Sequence, residues 1–255
     1  MKFGACVGNE PEKIKLAAEF GFDYLEIGFR FFTTNDDETI EEYCRCLEEN
    51  NIRCESANCF IPGELKVTGE DVDYEALKKH VETGMKKGIK AGLKTVVFGS
   101  GGARDIPEGY PYNKAAKQIA FFLKEIVAPV AEKYGITVVV EPLWDSNIIN
   151  TVKEGCIFAS MAESENVKGL ADSFHMFKIN DSFDNIKDVK GFLGHAHVAE
   201  PTKRVYPYEN DGADYRAFID ALKFAGCPRC SIEASCDDFK AQAPVALKIL
   251  KEADR

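Results

Sequence analysis

The sequence predicts an α/β protein folded as one closed (β/α)8 barrel of the TIM type, and three observations carry that expectation. The 255 residues suit one such domain, which takes about 250 residues. Eight short apolar runs alternate with eight amphipathic stretches over 1–255, with no long linker or low-complexity segment between them. The apolar runs are continuous and rich in β-branched residues, as expected of strands buried on both faces.

The first strand is expected over 2–7, and Pro11 then fits the first turn of a helix over 10–20, where its missing N–H leaves no bond unmade. A phrase then recurs: an amphipathic stretch, a glycine stop, and an apolar run closed by a polar residue. Gly21 ends the first helix before a strand over 23–28, which carries Glu26. A helix over 37–50 leads to a strand over 52–59, and one over 73–91 stops at Gly92 before the strand 94–99. Gly135 separates a helix over 113–134 from Ile136-Thr137-Val138-Val139-Val140-Glu141, the fifth strand. Helices over 150–163 and 182–191 precede strands over 167–172 and 193–198. Gly226 ends a helix over 214–225 before the last strand, 229–233, and a helix over 237–253 completes the eighth unit. Glycine just past a helix supplies the left-handed cap. A doubly wound open sheet is the alternative, but Gly4-Ala5-Cys6-Val7-Gly8 lacks the phosphate-binding glycine pattern expected after its first strand.

At 45% hydrophobic and 29% charged residues the composition is that of an ordinary globular chain with enough apolar material for a large core. A net charge of −10 makes the average surface repel phosphate backbones and anionic membranes. Neither nucleic acid nor membrane is expected as a partner. No signal segment and no long apolar run is visible, so a cytoplasmic location is expected. The nine cysteines are expected as reduced thiols. The CxxC of Cys227 and Cys230 would need a second pair or nearby histidines at matching spacing to make a zinc site, and Cys236 alone is weak support.

In a barrel of this kind chemistry collects at the C-terminal ends of the strands. From the fifth strand onward those ends carry Glu141, Asp172, His197 and Glu233, one per strand. Three carboxylates converging on an imidazole, without a matching cluster of Lys or Arg, become tolerable when a divalent cation sits among them. The oxygen-rich set suits Mn²⁺ or Mg²⁺, with Co²⁺ or Zn²⁺ as further candidates. Any one of the four alone has an equally good explanation as a strand-end salt bridge; their common level is the signal. Glu26 either lines the same pocket or forms an internal ion pair. Gly99-Ser100-Gly101-Gly102-Ala103-Arg104 either cradles a phosphate with its backbone N–H groups or is a loop at the mouth.

The segments Val139-Val140-Glu141-Pro142-Leu143, Ala171-Asp172-Ser173-Phe174-His175-Met176 and Gly194-His195-Ala196-His197-Val198-Ala199-Glu200 carry a resemblance. Together with Asn150-Thr151 and Glu154-Gly155, they resemble the sugar phosphate isomerase/epimerase family. That family is xylose isomerase-like in fold and includes ketose 3-epimerases and hydroxypyruvate isomerase. The resemblance implies that Glu141, Asp172, His197 and Glu233 bind the metal, Mn²⁺ foremost, and that Glu141 and Glu233 are the catalytic acid/base pair. It implies that His175 and Arg204 contact a small carbohydrate, and that the chain assembles as a homodimer or homotetramer. His175 as an orienting group and Arg204 as a surface partner of Glu200 are the plainer alternatives. Where many relatives carry Asn and a further Glu after Glu-Pro-Leu, this chain is shorter and reads Trp144-Asp145-Ser146-Asn147. Trp144 either forms an apolar wall for the sugar or packs under a loop, and the sugar stays unassigned.

The implied chemistry is proton abstraction beside a carbonyl through an enediolate, giving epimerisation or isomerisation. A lyase that starts with the same proton and then expels a β-substituent would need almost the same residues. An AP endonuclease-like phosphodiesterase would need more metal ligands than the four histidines of this chain provide, and a less negative surface.

Overall fold

A computed structural model describes all 255 residues. Eight parallel strands close into a barrel in sequence order. They are β1 (Lys2–Cys6), β2 (Tyr24–Gly28), β3 (Cys54–Asn58), β4 (Thr95–Phe98), β5 (Thr137–Val140), β6 (Val167–Asp172), β7 (Leu193–Val198) and β8 (Arg229–Ile232). β1 pairs with both β2 and β8, so no strand has a free edge. The outer layer contains α1 (Pro11–Phe20), α2 (Arg30–Thr34), α3 (Asp37–Glu49), α4 (Tyr74–Ala91), α5 (Gly101–Arg104) and α6 (Tyr112–Phe121). It continues with α7 (Ala128–Tyr134), α8 (Val152–Ser160), α9 (Ser173–Lys178), α10 (Asp184–Asp188), α11 (Tyr215–Ala225) and α12 (Phe239–Ala253). No helix is long and apolar enough to cross a membrane.

The glycine stops behave as expected. Gly21, Gly92, Gly135 and Gly226 each follow a helix with φ between 64° and 97° and donate their N–H groups back to its last turn. One continuous apolar core fills the space between strands and helices. Inside the barrel, Val97, Val139 and Leu170 form a separate apolar patch on one side. The N-terminal end is closed by Glu55, whose carboxylate receives Lys2, Lys94 and Arg229 at 2.8–3.1 Å.

The helical layer differs from the expectation in two ways. The segment expected as one helix over 113–134 contains a π-helical stretch, Phe122–Val127, between α6 and α7. Pro129 lies just beyond it and has no N–H to return to the preceding turn, so the register widens there. The wide turn buries Phe122 against Phe60 and Phe98. The short helices α2, α5 and α9, each only 4–6 residues, follow β2, β4 and β6 directly. One turn is too short for helical periodicity to stand out in a sequence.

Close packing of the outer layer depends on Gly84 of α4: a Cβ there would lie 2.2 Å from the ring of Phe29. Replacement Gly84→Ala is expected to cost roughly 1–3 kcal/mol through overpacking, despite alanine's better helix propensity. Urea unfolding reads this directly, and an unchanged midpoint would mean that the Phe29 ring retreats without cost.

Candidate active site

The last four strands place Glu141, Asp172, His197 and Glu233 in one cluster at the C-terminal mouth. One ligand atom from each lies within 4.8 Å of the others. Nδ1 of His197 is 3.0 Å from Glu141 Oε1, 3.0 Å from Glu233 Oε2 and 3.9 Å from Asp172 Oδ2. Glu141, Asp172 and His197 are buried, and Glu233 is nearly so.

Each member is held from behind. His197 Nε2 meets Glu26 Oε1 at 2.9 Å, deep inside the barrel. The other Glu26 oxygen meets His195 Nε2 at 2.9 Å, beside the hydroxyls of Ser231 and Ser56 at 3.3 and 3.4 Å. With an ion bound, an Nε2 hydrogen directed at Glu26 would leave the Nδ1 lone pair free for that ion. Asp172 uses Oδ1 to accept the N–H groups of Phe174 and His175 at the start of α9, which leaves Oδ2 facing the cluster. Asn58, at the end of β3, donates to Glu233 Oε1 at 2.7 Å, and Arg204 reaches Oε2 at 2.6 Å. The main chain at Glu141 is clamped by fully buried Arg104, which donates to the carbonyls of Glu141 and Phe98 at 2.6 and 2.9 Å.

The charges pull the group pKa values apart. Burial and then the charge of Glu233 raise that of Glu141. Burial would raise Glu233 too, but the charge and hydrogen bond of His197, and then Arg204, hold it below the ordinary carboxylate range. Burial opposes the His197 cation, yet the charges of Glu233 and Glu26 raise its pKa well above that of free imidazole. The geometry therefore suits a divalent cation bound by three carboxylate oxygens and one imidazole nitrogen.

The remaining expected residues divide. His175 lies at this mouth: its buried Nε2 is 3.7 Å from Asp172 Oδ2 and has no hydrogen-bond partner. Arg204 points inward, 3.4 Å from Asp172 Oδ2, and its guanidinium sits 5.1 Å from the Phe174 ring centre. Pairing with Glu200 does not occur, because that carboxylate accepts the N–H groups of Thr202 and Lys203. Trp144 meets the site only through its backbone N–H, 3.3 Å from His175 Nδ1. Its indole is exposed and is not packed under a loop. Glu26 fills both roles open to it: it pairs internally with the two histidines and lines the cavity beside the cluster. The 99–104 segment is committed internally: Ser100 Oγ accepts the N–H of Ile61, and Arg104 serves the two carbonyls. Cys227 and Cys230 are buried free thiols outside every cluster with metal-ligand spacing.

Sequence reasoning missed Asn58 and saw Arg104 only as part of the glycine-rich 99–104 segment. A cavity of about 450 Å³ opens beside the cluster on the β1–β8 side, lined in part by Cys6, Lys13, Glu26, Asn58, Tyr206 and Phe239.

A model of the family described as xylose isomerase-like TIM barrel matches residues 14–253. The chain is 28% identical over 200 residues to D-psicose 3-epimerase of Ruminiclostridium cellulolyticum, covering 75% of this chain and 67% of that protein. A crystal structure of D-psicose 3-epimerase in the presence of D-fructose superposes with a TM-score of 0.84 at 20% identity, over 100% of this chain and 99% of that one. The 3-keto-D-glucoside 4-epimerase of E. coli superposes with a TM-score of 0.83 at 23% identity, over 99% of both chains. At these identities the two structures establish likeness of fold.

Removing the Arg104 fork would leave the Glu141 carbonyl without its partner, reduce the Phe98 carbonyl to the Glu141 N–H alone, and open a cavity behind them. Arg104→Ala is therefore expected to lose roughly 3 kcal/mol or more of stability, with Arg104→Lys intermediate because an ammonium cannot fork between both oxygens. Guanidinium unfolding would measure the series, and wild-type stability in the alanine variant would show that water replaces the clamp.

Proposed function

This chain belongs to the xylose isomerase-like TIM barrel family, and from that premise we propose that it is a divalent-metal-dependent epimerase or isomerase of a small sugar, acting beside a carbonyl group. The observation that carries the proposal is the pair Glu141 and Glu233, from non-adjacent strands, each 3.0 Å from the same nitrogen of His197. Two bases flanking one point are what inversion at a carbon requires. The names of the relatives, D-psicose 3-epimerase and 3-keto-D-glucoside 4-epimerase, support a ketose or keto-sugar substrate.

Glu141, Asp172, His197 and Glu233 would hold the ion, Mn²⁺ first and Mg²⁺, Co²⁺ or Zn²⁺ as alternatives. When bound, a divalent cation polarises a carbonyl oxygen and a neighbouring hydroxyl, which acidifies the C–H between them. One glutamate takes that proton and the other returns one. Return to the opposite face of the same carbon inverts it; return to the adjacent carbon isomerises the sugar. Arg204 and His175 stand where they can donate to substrate hydroxyls, and Arg204 also keeps Glu233 ionised. Asn58 fixes the Glu233 carboxylate from the side of the cavity.

A panel of ketoses in D₂O, followed by NMR, tests the reaction. Deuterium at one carbon with an epimeric or isomeric product is expected; an eliminated product would assign a lyase, and no exchange across the panel would overturn the proposal. Glu141→Gln and Glu233→Gln should each slow exchange by about 10²–10⁴-fold, the usual weight of one acid/base group, with circular dichroism unchanged. Full exchange in either variant would remove that residue from the pair.

Glu26 holds the far nitrogen of the proposed ligand His197, so Glu26→Gln should weaken metal binding by about 10–100-fold. Calorimetric titration of chelator-treated protein with Mn²⁺ measures this, and unchanged affinity would show that His197 needs no such support.

A further inference from the structure

The cavity on the β1–β8 side is lined by none of Glu141, Asp172, His197 and Glu233, and no step of the mechanism takes place in it. Two of its lining residues, Glu26 and Asn58, bind members of the cluster, His197 at 2.9 Å and Glu233 at 2.7 Å. The cavity therefore begins one side chain away from the reacting centre. A second cavity of about 470 Å³ shares Tyr206 and Asp237 with it and adds Lys203, Pro207, Tyr208 and Val245. Each is of the size that holds a small organic ligand, roughly 300–1,000 Å³.

The walls of this second cavity are tied together. Val205 forms a β-bridge to Ser235 between the loops that follow β7 and β8, and the Ser235 N–H donates to the Arg204 carbonyl at 2.8 Å. Asp211 accepts the Tyr208 N–H at 3.1 Å, which fixes the base of a ring that stays 46% exposed. An aromatic ring at the edge of a polar cleft can cover the apolar face of a sugar. The Tyr206 hydroxyl is buried without a partner. The lining charges balance, Lys13 and Lys203 against Glu26 and Asp237, and Lys13 is already paired with Glu10 at 2.8 Å. A phosphate calls for an excess of cationic donors, so the balance favours a neutral polyhydroxy group.

We propose that the two cavities form a subsite for a second, unphosphorylated sugar ring, so that the substrate is a keto-sugar joined to that ring by a glycosidic bond. The inference rests on the reaction proposed above and names its substrate class. The glycosidic bond stays intact; contacts to the remote ring position the reacting one.

Matched pairs that differ by one neutral ring provide the test. They are D-fructose against maltulose, and methyl 3-keto-D-glucoside against 3-keto-maltose, in the deuterium-exchange assay with the Mn²⁺-loaded full chain. In the pair that exchanges, kcat/KM should be higher for the disaccharide by roughly tenfold or more, through remote binding. D-fructose 6-phosphate should not surpass D-fructose. Tyr208→Ala should cut the disaccharide advantage by roughly 2–10-fold, the scale of one aromatic contact, and leave the one-ring substrate unchanged. Ala241→Trp, which fills the outer cavity from an exposed helix position, should do the same. No advantage for the disaccharide, or one that survives both variants, overturns the subsite and leaves the epimerase reading standing. Faster exchange of D-fructose 6-phosphate overturns its neutral character. Exchange with neither pair overturns the reaction and the subsite together.

Discussion

Glu141, Asp172 and Glu233 converge on one nitrogen of His197, two of them at 3.0 Å, in a mouth from which most water is excluded. Carboxylates so close cannot all remain ionised without positive charge among them. The protein supplies some of it through Arg204, which reaches both Glu233 and Asp172, and through the imidazole itself. A divalent ion in place of the imidazole proton would complete the balance while touching all four groups at once.

Much of the surrounding structure serves to keep this concentration of charge in place. Below the cluster, Glu26 spans His197 and His195 with its two oxygens, so the imidazole cannot turn away from the mouth. Beside it, Arg104 ties the ends of β4 and β5 through their carbonyls and so fixes where the Glu141 side chain begins. Asp172 splits its oxygens between capping α9 and facing the site. These supports are hydrogen-bonded and buried, and the closed ring of strands prevents the four segments that carry the cluster from drifting apart. A site built this way is organised before any ligand arrives, which is the condition for electrostatic catalysis.

Parts of this arrangement were legible in the chain before folding. Glu141, Asp172, His197 and Glu233 each stand at or just beyond the end of an apolar run, and a barrel brings all such ends to one face. Asn58 and Cys6 end strands in the same way, yet an amide and a thiol there carry no signal that separates them from ordinary strand residues. Arg104 was visible only as part of a glycine-rich loop, and that composition suits a phosphate cradle as well as a buried clamp. Trp144 and Glu200 show the same limit: whether a side chain turns inward or outward depends on the course of a loop.

By itself the sequence determined the eight-fold alternation, the glycine caps and the level at which the charged strand ends meet, because periodicity and caps are local properties of the chain. Only the tertiary structure decided that Glu26 faces inward to both histidines, that Arg204 turns away from Glu200 to Glu233, and that Cys6 stands at the edge of the cluster. Those contacts join residues from distant strands and loops. Their partners are chosen by barrel closure and side-chain packing, which no stretch of neighbouring residues encodes.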